Sequence, residues 1–204
     1  MPQRPITVSL PENAIKFQRH DGYLEGQLLV ATPMVEGDVF SQSVIYLFAH
    51  NAHGAMGIVI NKPLDMVHYA SLFQQLGIEV TPRMQDLRIY LGGPVESARG
   101  FVLHSADYRC EDSLITDNGI GITASTKILK DIGAGHGPRD RILAIGYAGW
   151  SPGQLESEIE ANSWITVPAT SELIFHTGDE TKWGFTAKTL GVDMGRFSSF
   201  VGHA

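Results

Sequence analysis

One cysteine, Cys110, is the whole thiol content of this 204-residue chain. A single thiol closes no intramolecular disulfide, so the fold has to be held by burial, and the composition fits a reducing compartment such as the cytoplasm. Long apolar runs are also missing. Leaving glycine aside, the longest is Val44–Ala49, far short of the ~20 residues that a membrane helix needs. The first twenty residues interleave Pro, Arg, Glu and Lys with short apolar pieces and show no signal-peptide core. The expectation is a soluble cytoplasmic protein with no membrane partner. Positive charge is scarce as well: 15 Lys and Arg stand against 22 Asp and Glu, a formal net charge of −7. Proteins that neutralise phosphates usually carry a basic surplus, so direct nucleic-acid binding is disfavoured. There is no phosphate-binding G-x-x-x-x-G-K-[ST] string, no repeat and no low-complexity tract.

Glycine, by contrast, is abundant, 22 of 204 residues against a usual ~7%, which predicts many tight turns or close backbone approaches. The apolar pattern predicts strands at Gln27–Ala31, Val44–Ala49, Ala55–Ile60, Arg88–Leu91, Phe101–His104, Ile120–Thr123 and Trp164–Val167, and one running through residues 141–148. Val44–Ala49 is continuously apolar and is expected to be buried on both faces. His53-Gly54 marks a hairpin between the second and third strands. Helices are predicted from Asp65 through Met66, Tyr69, Phe73 and Leu76, at Thr126–Ile132 after a Ser125 cap, after Ser151, and from Asp179 to Leu190; Glu172–Phe175 is ambiguous. Strands joined by short turns alternate with strands joined by helices. That mixture implies one α+β domain over residues 23–204, preceded by an irregular N-terminal arm at residues 1–22.

The most chemically suggestive stretch is RILAIGYAGWSPGQLESEI, residues 141–159. It reads as strand, tight turn, helix, and it contains G-x-S-x-G, the string that displays a hydrolase nucleophile. Pro152 argues against that role for Ser151, because the residue after the nucleophile must lend its N–H to the oxyanion hole. The better reading makes Ser151 a helix N-cap, with Pro152 in the first helical position and Gln154 closing a capping box. His50 and His53 form H-x-x-H without the glutamate or helix of a zinc motif, so they are read as surface or turn histidines and no metal is assigned. Cys110 lies between Arg109 and Glu111-Asp112 and is read as an unreactive thiol. Gly133-x-Gly135-x-Gly137 follows a helix instead of a strand, so turn geometry explains it better than a nucleotide. Residues 66–89 could be helix, turn and second helix, but Pro82 and the strand at Arg88–Leu91 leave little room for a recognition helix. Lys127, Lys130, Arg139 and Arg141 are interrupted by Asp131 and Asp140, as on a solvated mixed-charge face.

What remains is a set of groups at predicted strand ends: Asn61 and Lys62, Gly92 and Gly93, His104, Tyr147 and Trp150. If those ends converge, they form a glycine-floored cleft with an aromatic wall, suited to a small ligand or a partner protein. Otherwise Tyr147 and Trp150 cover the core and Asn61 caps a turn.

Four segments, GQLLVATP (26–33), SVIYLFAHNAHGAMGIVINKPL (43–64), LGGPVESARGFVLHS (91–105) and GYAGWSPGQLESEIEANSWIT (146–166), resemble the AlgH/YqgE family of bacterial proteins in content, order and spacing. The resemblance implies a mixed, bifurcated β-sheet folded into a small pseudo-barrel surrounded by helices. It associates one branch with transcriptional regulation and carries over no catalytic residue and no cofactor. Together these readings point to a cytoplasmic, non-enzymatic regulatory or binding protein whose partner is a protein or small molecule. The alternatives are a hydrolase-type enzyme using His104, Ser151 or Lys62 in the same cleft, and a direct DNA-binding regulator.

Overall fold

Nine strands form one sheet in the computed structural model, which describes residues 22–37, 39–64, 71, 73–75, 77–189 and 191. Residues 1–21 of the expected arm, and most of the helix expected from Asp65 to Leu76, lie outside the described residues. In chain order the strands are β1 (Gln27–Ala31), β2 (Val44–Asn51), β3 (Gly54–Val59), β4 (Arg88–Leu91), β5 (Val95–Ser105), β6 (Ser113–Ile115), β7 (Ile120–Thr123), β8 (Arg141–Trp150) and β9 (Trp164–Pro168). Among the described residues the α-helices with both ends placed are α1 (Thr126–Ala134), α2 (Gln154–Glu160) and α3 (Asp179–Lys188). The described residues also include helical positions at 71 and 73–75, a 3₁₀ turn at Pro82–Met84 and a π turn at Glu172–His176, the last settling the ambiguous segment as helical.

The sheet runs β6-β7-β5-β8-β3-β2-β1-β9, with β4 joined to β8. Every pairing is antiparallel except β4 with β8. The sheet divides along one edge of β8. The first half of that edge pairs in parallel with β4, from Arg88 opposite Ile142 to Leu91 opposite Ile145, and the second half pairs with β3, from Gly57 opposite Ala148 to Ala55 opposite Trp150. The sheet is thus mixed and bifurcated, as the family resemblance implies.

Backbone contact without side chains makes the division possible. Gly92 donates its N–H to Ile145 O at 2.8 Å and accepts from Val59 N at 2.9 Å, tying β8 to β3 at the point where β4 leaves off. A Cβ on Gly92 would stand 2.3 Å from Gly146 O, and one on Gly93 would stand 2.2 Å from the Tyr147 carbonyl carbon. Gly146 itself has φ +73°, and its Cβ would meet Gly93 O at 2.4 Å. All these neighbours are backbone atoms that cannot swing away, so three glycines are required here.

Packing follows from the apolar pattern. β2 is buried on both faces as expected: Val44, Tyr46 and Phe48 enter one apolar cluster with Phe101 and Leu103, while Ile45 and Leu47 enter another with Trp150 and Trp164. Each such side chain contributes about 1.5–3 kcal/mol by leaving water. The β2–β3 hairpin turns through Ala52-His53, where Asn51 Oδ1 accepts the His53 N–H at 2.7 Å. Ser125 caps α1 by accepting the Lys127 N–H, and Gly135 ends that helix at φ +85°, so the Gly133–Gly137 loop is a helix stop. β5 reaches back to Val95, six residues earlier than the predicted strand, through an irregularity between Val95 and Gly100, and the short β6 was not legible in the pattern.

The C-terminal helix is anchored by a buried charge. Lys182 is 0% exposed. Its Nζ donates to Ile60 O at 2.8 Å and Ile174 O at 2.9 Å, and lies 3.5 Å from Asp179 Oδ1. One ammonium thereby satisfies carbonyls at the end of β3 and in the π turn that no regular ladder reaches. Burial pushes Lys182 down from 10.5 to about 8, with Asp179 opposing that shift.

Two predictions follow from these contacts. Gly146→Ala adds a backbone clash to a left-handed φ, whereas Gly119→Ala adds a side chain at φ +77° with nothing within 4 Å of it. In urea denaturation Gly119→Ala is expected to cost about 1 kcal/mol of left-handed strain, and Gly146→Ala about 3 kcal/mol or more; equal losses would mean that close approach at the fork is unimportant. For Lys182, the unfolded chain holds its proton up to pH 10.5 while the folded chain releases it near 8. Stability therefore rises with pH across that interval, by up to about 3 kcal/mol over the full interval. Denaturation from pH 7 to 10 is expected to show this rise in the wild type and to lose it in Lys182→Met.

Candidate functional site

The seven strand-end groups do not all converge: Lys62, Gly92, Gly93 and Tyr147 lie close together where the sheet divides, whereas His104 lies at the opposite end of β8 from Trp150. Strand ends gather at one edge when strands run parallel, and here all pairings but one are antiparallel, so successive ends alternate between opposite edges. His104 pairs with Arg141 at the start of β8, while Trp150 closes that strand. Nine steps at about 3.3 Å separate the two ends by about 30 Å. Each residue has a local task instead. Asn61 is buried, accepting the Val44 N–H at 2.8 Å and donating to Gln42 O at 2.9 Å, and so pins the approach to β2. Lys62 is half-buried, its carbonyl accepting the Leu91 N–H at 2.9 Å. Gly92 and Gly93 make the fork.

His104 is 0% exposed, with Nδ1 2.8 Å from Ser105 O and Nε2 2.8 Å from Thr123 Oγ1. A carbonyl only accepts, so Nδ1 carries the proton and Nε2 takes the threonine hydroxyl's. Burial holds its pKa below the usual histidine range, opposed by the Ser105 carbonyl. Its ring fills the space over Gly121, where a Cβ would come within 2.3 Å of it. This is a buried histidine with both ring nitrogens satisfied inside the core.

Tyr147 and Trp150 do line an open groove, in different company. Its volume is about 480 Å³, and its walls bring Asn51, His53 and Met56 from the β2–β3 hairpin against Tyr147, Trp150 and Ser151. The Tyr147 ring packs edge-on against Phe101 at 5.9 Å, and burial, reinforced by Glu96, keeps its phenol protonated above the usual tyrosine range. Gly54, at φ +124°, lets the hairpin approach the end of β8, since a Cβ there would lie 2.1 Å from Trp150 O. His53 was legible as a turn residue and Tyr147 as an aromatic strand end. Asn51, Met56 and Val95 carried no sign that they would meet them.

Ser151 does not cap the following helix. Pro152 and Gly153 form the corner of a turn, with Gln154 N–H donating to Ser151 O at 3.0 Å, and Gly153 at φ +76° occupies the cap position without a side-chain bond. Pro at the second and Gly at the third position favour such a turn over a helix starting at Pro152. Half of the capping box survives: Gln154 Oε1 accepts the Ser151 N–H at 3.0 Å.

Helix α2 is fastened by carboxylates. Glu156 Oε1 lies 3.0 Å from His50 Nε2, while His50 Nδ1 accepts the Leu24 N–H at 3.0 Å. Both nitrogens are committed and the residue is 4% exposed, so His50 is a buried tie and not the surface histidine expected from H-x-x-H; His53 is exposed in the turn. Glu158 Oε2 accepts both indole N–H groups, from Trp150 at 2.9 Å and from Trp164 at 2.8 Å. A second cavity of about 300 Å³ lies beside these rings, and Gly149 and Trp150 line both it and the groove.

Two of the four clustered basic residues make bonds within the fold. Lys127 pairs with Asp131, which also accepts from Tyr108, and Arg141 donates to Pro138 O at 2.8 Å and Arg83 O at 3.2 Å. Between residues 77 and 91 the regular elements are the 3₁₀ turn and β4, with no helix to enter a groove. Cys110 is half-buried, its Sγ 3.3 Å from Ser113 Oγ. No helix among the described residues is long and apolar enough to cross a membrane.

Comparison with known proteins agrees with this architecture. The chain is 46% identical over 188 residues to a UPF0301 protein of Rhodospirillum rubrum, covering 92% of this chain and 98% of the relative. It is 48% identical to another from a Methylobacterium species, covering 90% and 91%. The solution structure of the AlgH protein from Pseudomonas aeruginosa superposes with a TM-score of 0.72 at 35% identity, covering 92% of this chain and all of that one. A Corynebacterium diphtheriae protein shares the fold at 22% identity and a TM-score of 0.68, over 89% and 94% of the two chains. The AlgH-like family profile matches residues 28–195, and the chain belongs to that family.

Proposed function

We propose that this chain is a cytoplasmic, non-enzymatic binding protein that serves a regulatory role by taking a small ligand or a partner's side chains into the groove at the end of β8. The observation that carries this reading is the groove's construction. Two aromatic rings, each fixed by the core behind it, line about 480 Å³ of open space together with the polar groups of Asn51, His53 and Ser151. Apolar area with a few placed polar groups is the usual composition of a ligand site. Hydrolysis at Ser151 is less well supported, since Pro152 supplies no N–H and His104 belongs to the other end of β8. Direct DNA recognition is opposed by the net charge of −7 and by the internal pairing of Lys127 and Arg141.

Gly149 provides the test. Its backbone is not left-handed, it is exposed, and a Cβ there would make ordinary contacts, 3.4 Å to Tyr147 and 3.6 Å to Val95, which places the new side chain in the groove. Gly149→Leu is expected to fold with a stability change below about 1 kcal/mol, in the range of surface substitutions, while filling the groove. A metabolite and peptide screen by thermal shift, run on both proteins, should yield ligands that stabilise the wild type and not Gly149→Leu. Hits that stabilise both equally would place binding elsewhere.

A further inference from the structure

We infer that the smaller cavity behind Trp150 is a cage for a trimethylammonium group. Trp164 stands between two rings at right angles to it: Trp150, with centroids 6.0 Å apart and planes at 83°, and Phe40, at 6.1 Å and 86°. With Val35 and Glu158 these rings line about 300 Å³. Perpendicular aromatic walls around a small space present negative π faces to it from more than one direction, the arrangement that attracts an organic cation.

The carboxylate selects the kind of cation. Glu158 is held by three neutral donors, the two indole N–H groups on Oε2 and the Gln154 amide on Oε1 at 2.9 Å. Its negative charge is therefore solvated by dipoles and not balanced by a cation among them. Each N–H···carboxylate bond also polarises its indole toward a more negative face, strengthening a cation's attraction to the ring. With three donors already on the carboxylate, a primary ammonium entering this half-open cavity finds little acceptor capacity left on it and has to keep water on its other N–H groups, which holds it off the rings. A fully methylated nitrogen brings the charge without that demand. The cage stands apart from the groove reading, since Phe40, Trp164 and Glu158 line the cage alone.

Choline is the probe, and 3,3-dimethylbutan-1-ol, the same shape with carbon in place of the charged nitrogen, is its neutral control. Titration followed by tryptophan fluorescence and calorimetry is expected to show saturable choline binding, with the neutral alcohol and ethanolamine each weaker by about tenfold or more. Phe40→Leu, which removes a half-buried ring, and Glu158→Gln, which keeps an acceptor for the indoles but discards the charge, are each expected to weaken choline by about tenfold. His53→Leu, at an exposed position that lines the groove and not the cage, should bind choline as the wild type does; this separates failure of the cage from failure of the groove. The proposal is overturned if choline shows no saturable binding, or if the neutral alcohol binds as well as choline. Should Glu158→Gln not fold, Phe40→Leu and the two control compounds decide.

Discussion

The contact of Gly92 and Gly93 with the backbone of Gly146 and Tyr147 is the constraint on which the remaining architecture rests. A strand normally has two edges and two neighbours. Here one edge of β8 serves β4 along its first half and β3 along its second, and the change of partner occurs where Gly92 bonds both Ile145 and Val59. Side chains at these positions would drive the two backbones apart by more than an ångström. Without that approach β3 and β4 could not both pair with β8, and the β2–β3 hairpin would not be carried to the strand's end.

The sites are consequences of the division. Because β3 joins β8 only over its last residues, the hairpin turn ends beside Trp150 and leaves the groove between them. The chain then turns sharply at Pro152-Gly153 and lays α2 back across the other side of Trp150. Glu158 reaches two indoles from that helix, and Glu156 reaches His50 on β2. Trp150 is thus 7% exposed and yet forms a wall of both cavities. Its burial on one side and its contact with open space on the other are compatible because a large ring seldom buries every atom.

Buried polar groups elsewhere follow the rule that desolvation has to be offset by hydrogen bonds. His104 gains a carbonyl and a hydroxyl, His50 a backbone N–H and a carboxylate, and Lys182 two carbonyls with Asp179 nearby. Residues that suggest chemistry in isolation are here cross-links between elements distant in the chain.

Much of the fold was legible because its causes are local. Apolar runs and turn residues located eight of the nine strands, with Gln27–Ala31, Arg88–Leu91 and Ile120–Thr123 matching residue for residue. The continuous apolarity of Val44–Ala49 foretold its burial on both faces, and Ser125 foretold the start of a helix. The four motif segments carried the family and, through it, the bifurcated sheet. Strand order and direction depended on pairings between residues far apart in the chain. Periodicity reports which faces are apolar and not which strand lies alongside, so it left open whether the strand ends meet, and antiparallel pairing sends them to both edges. The same limit hid the reason for Gly92, Gly93 and Gly146, whose partners are each other across more than 50 residues. It also hid Lys182, whose burial depends on carbonyls that only the assembled sheet and π turn present. What the sequence determined alone was the set of elements and their apolar faces; the tertiary structure decided which groups share a cavity, because that depends on which backbones can touch.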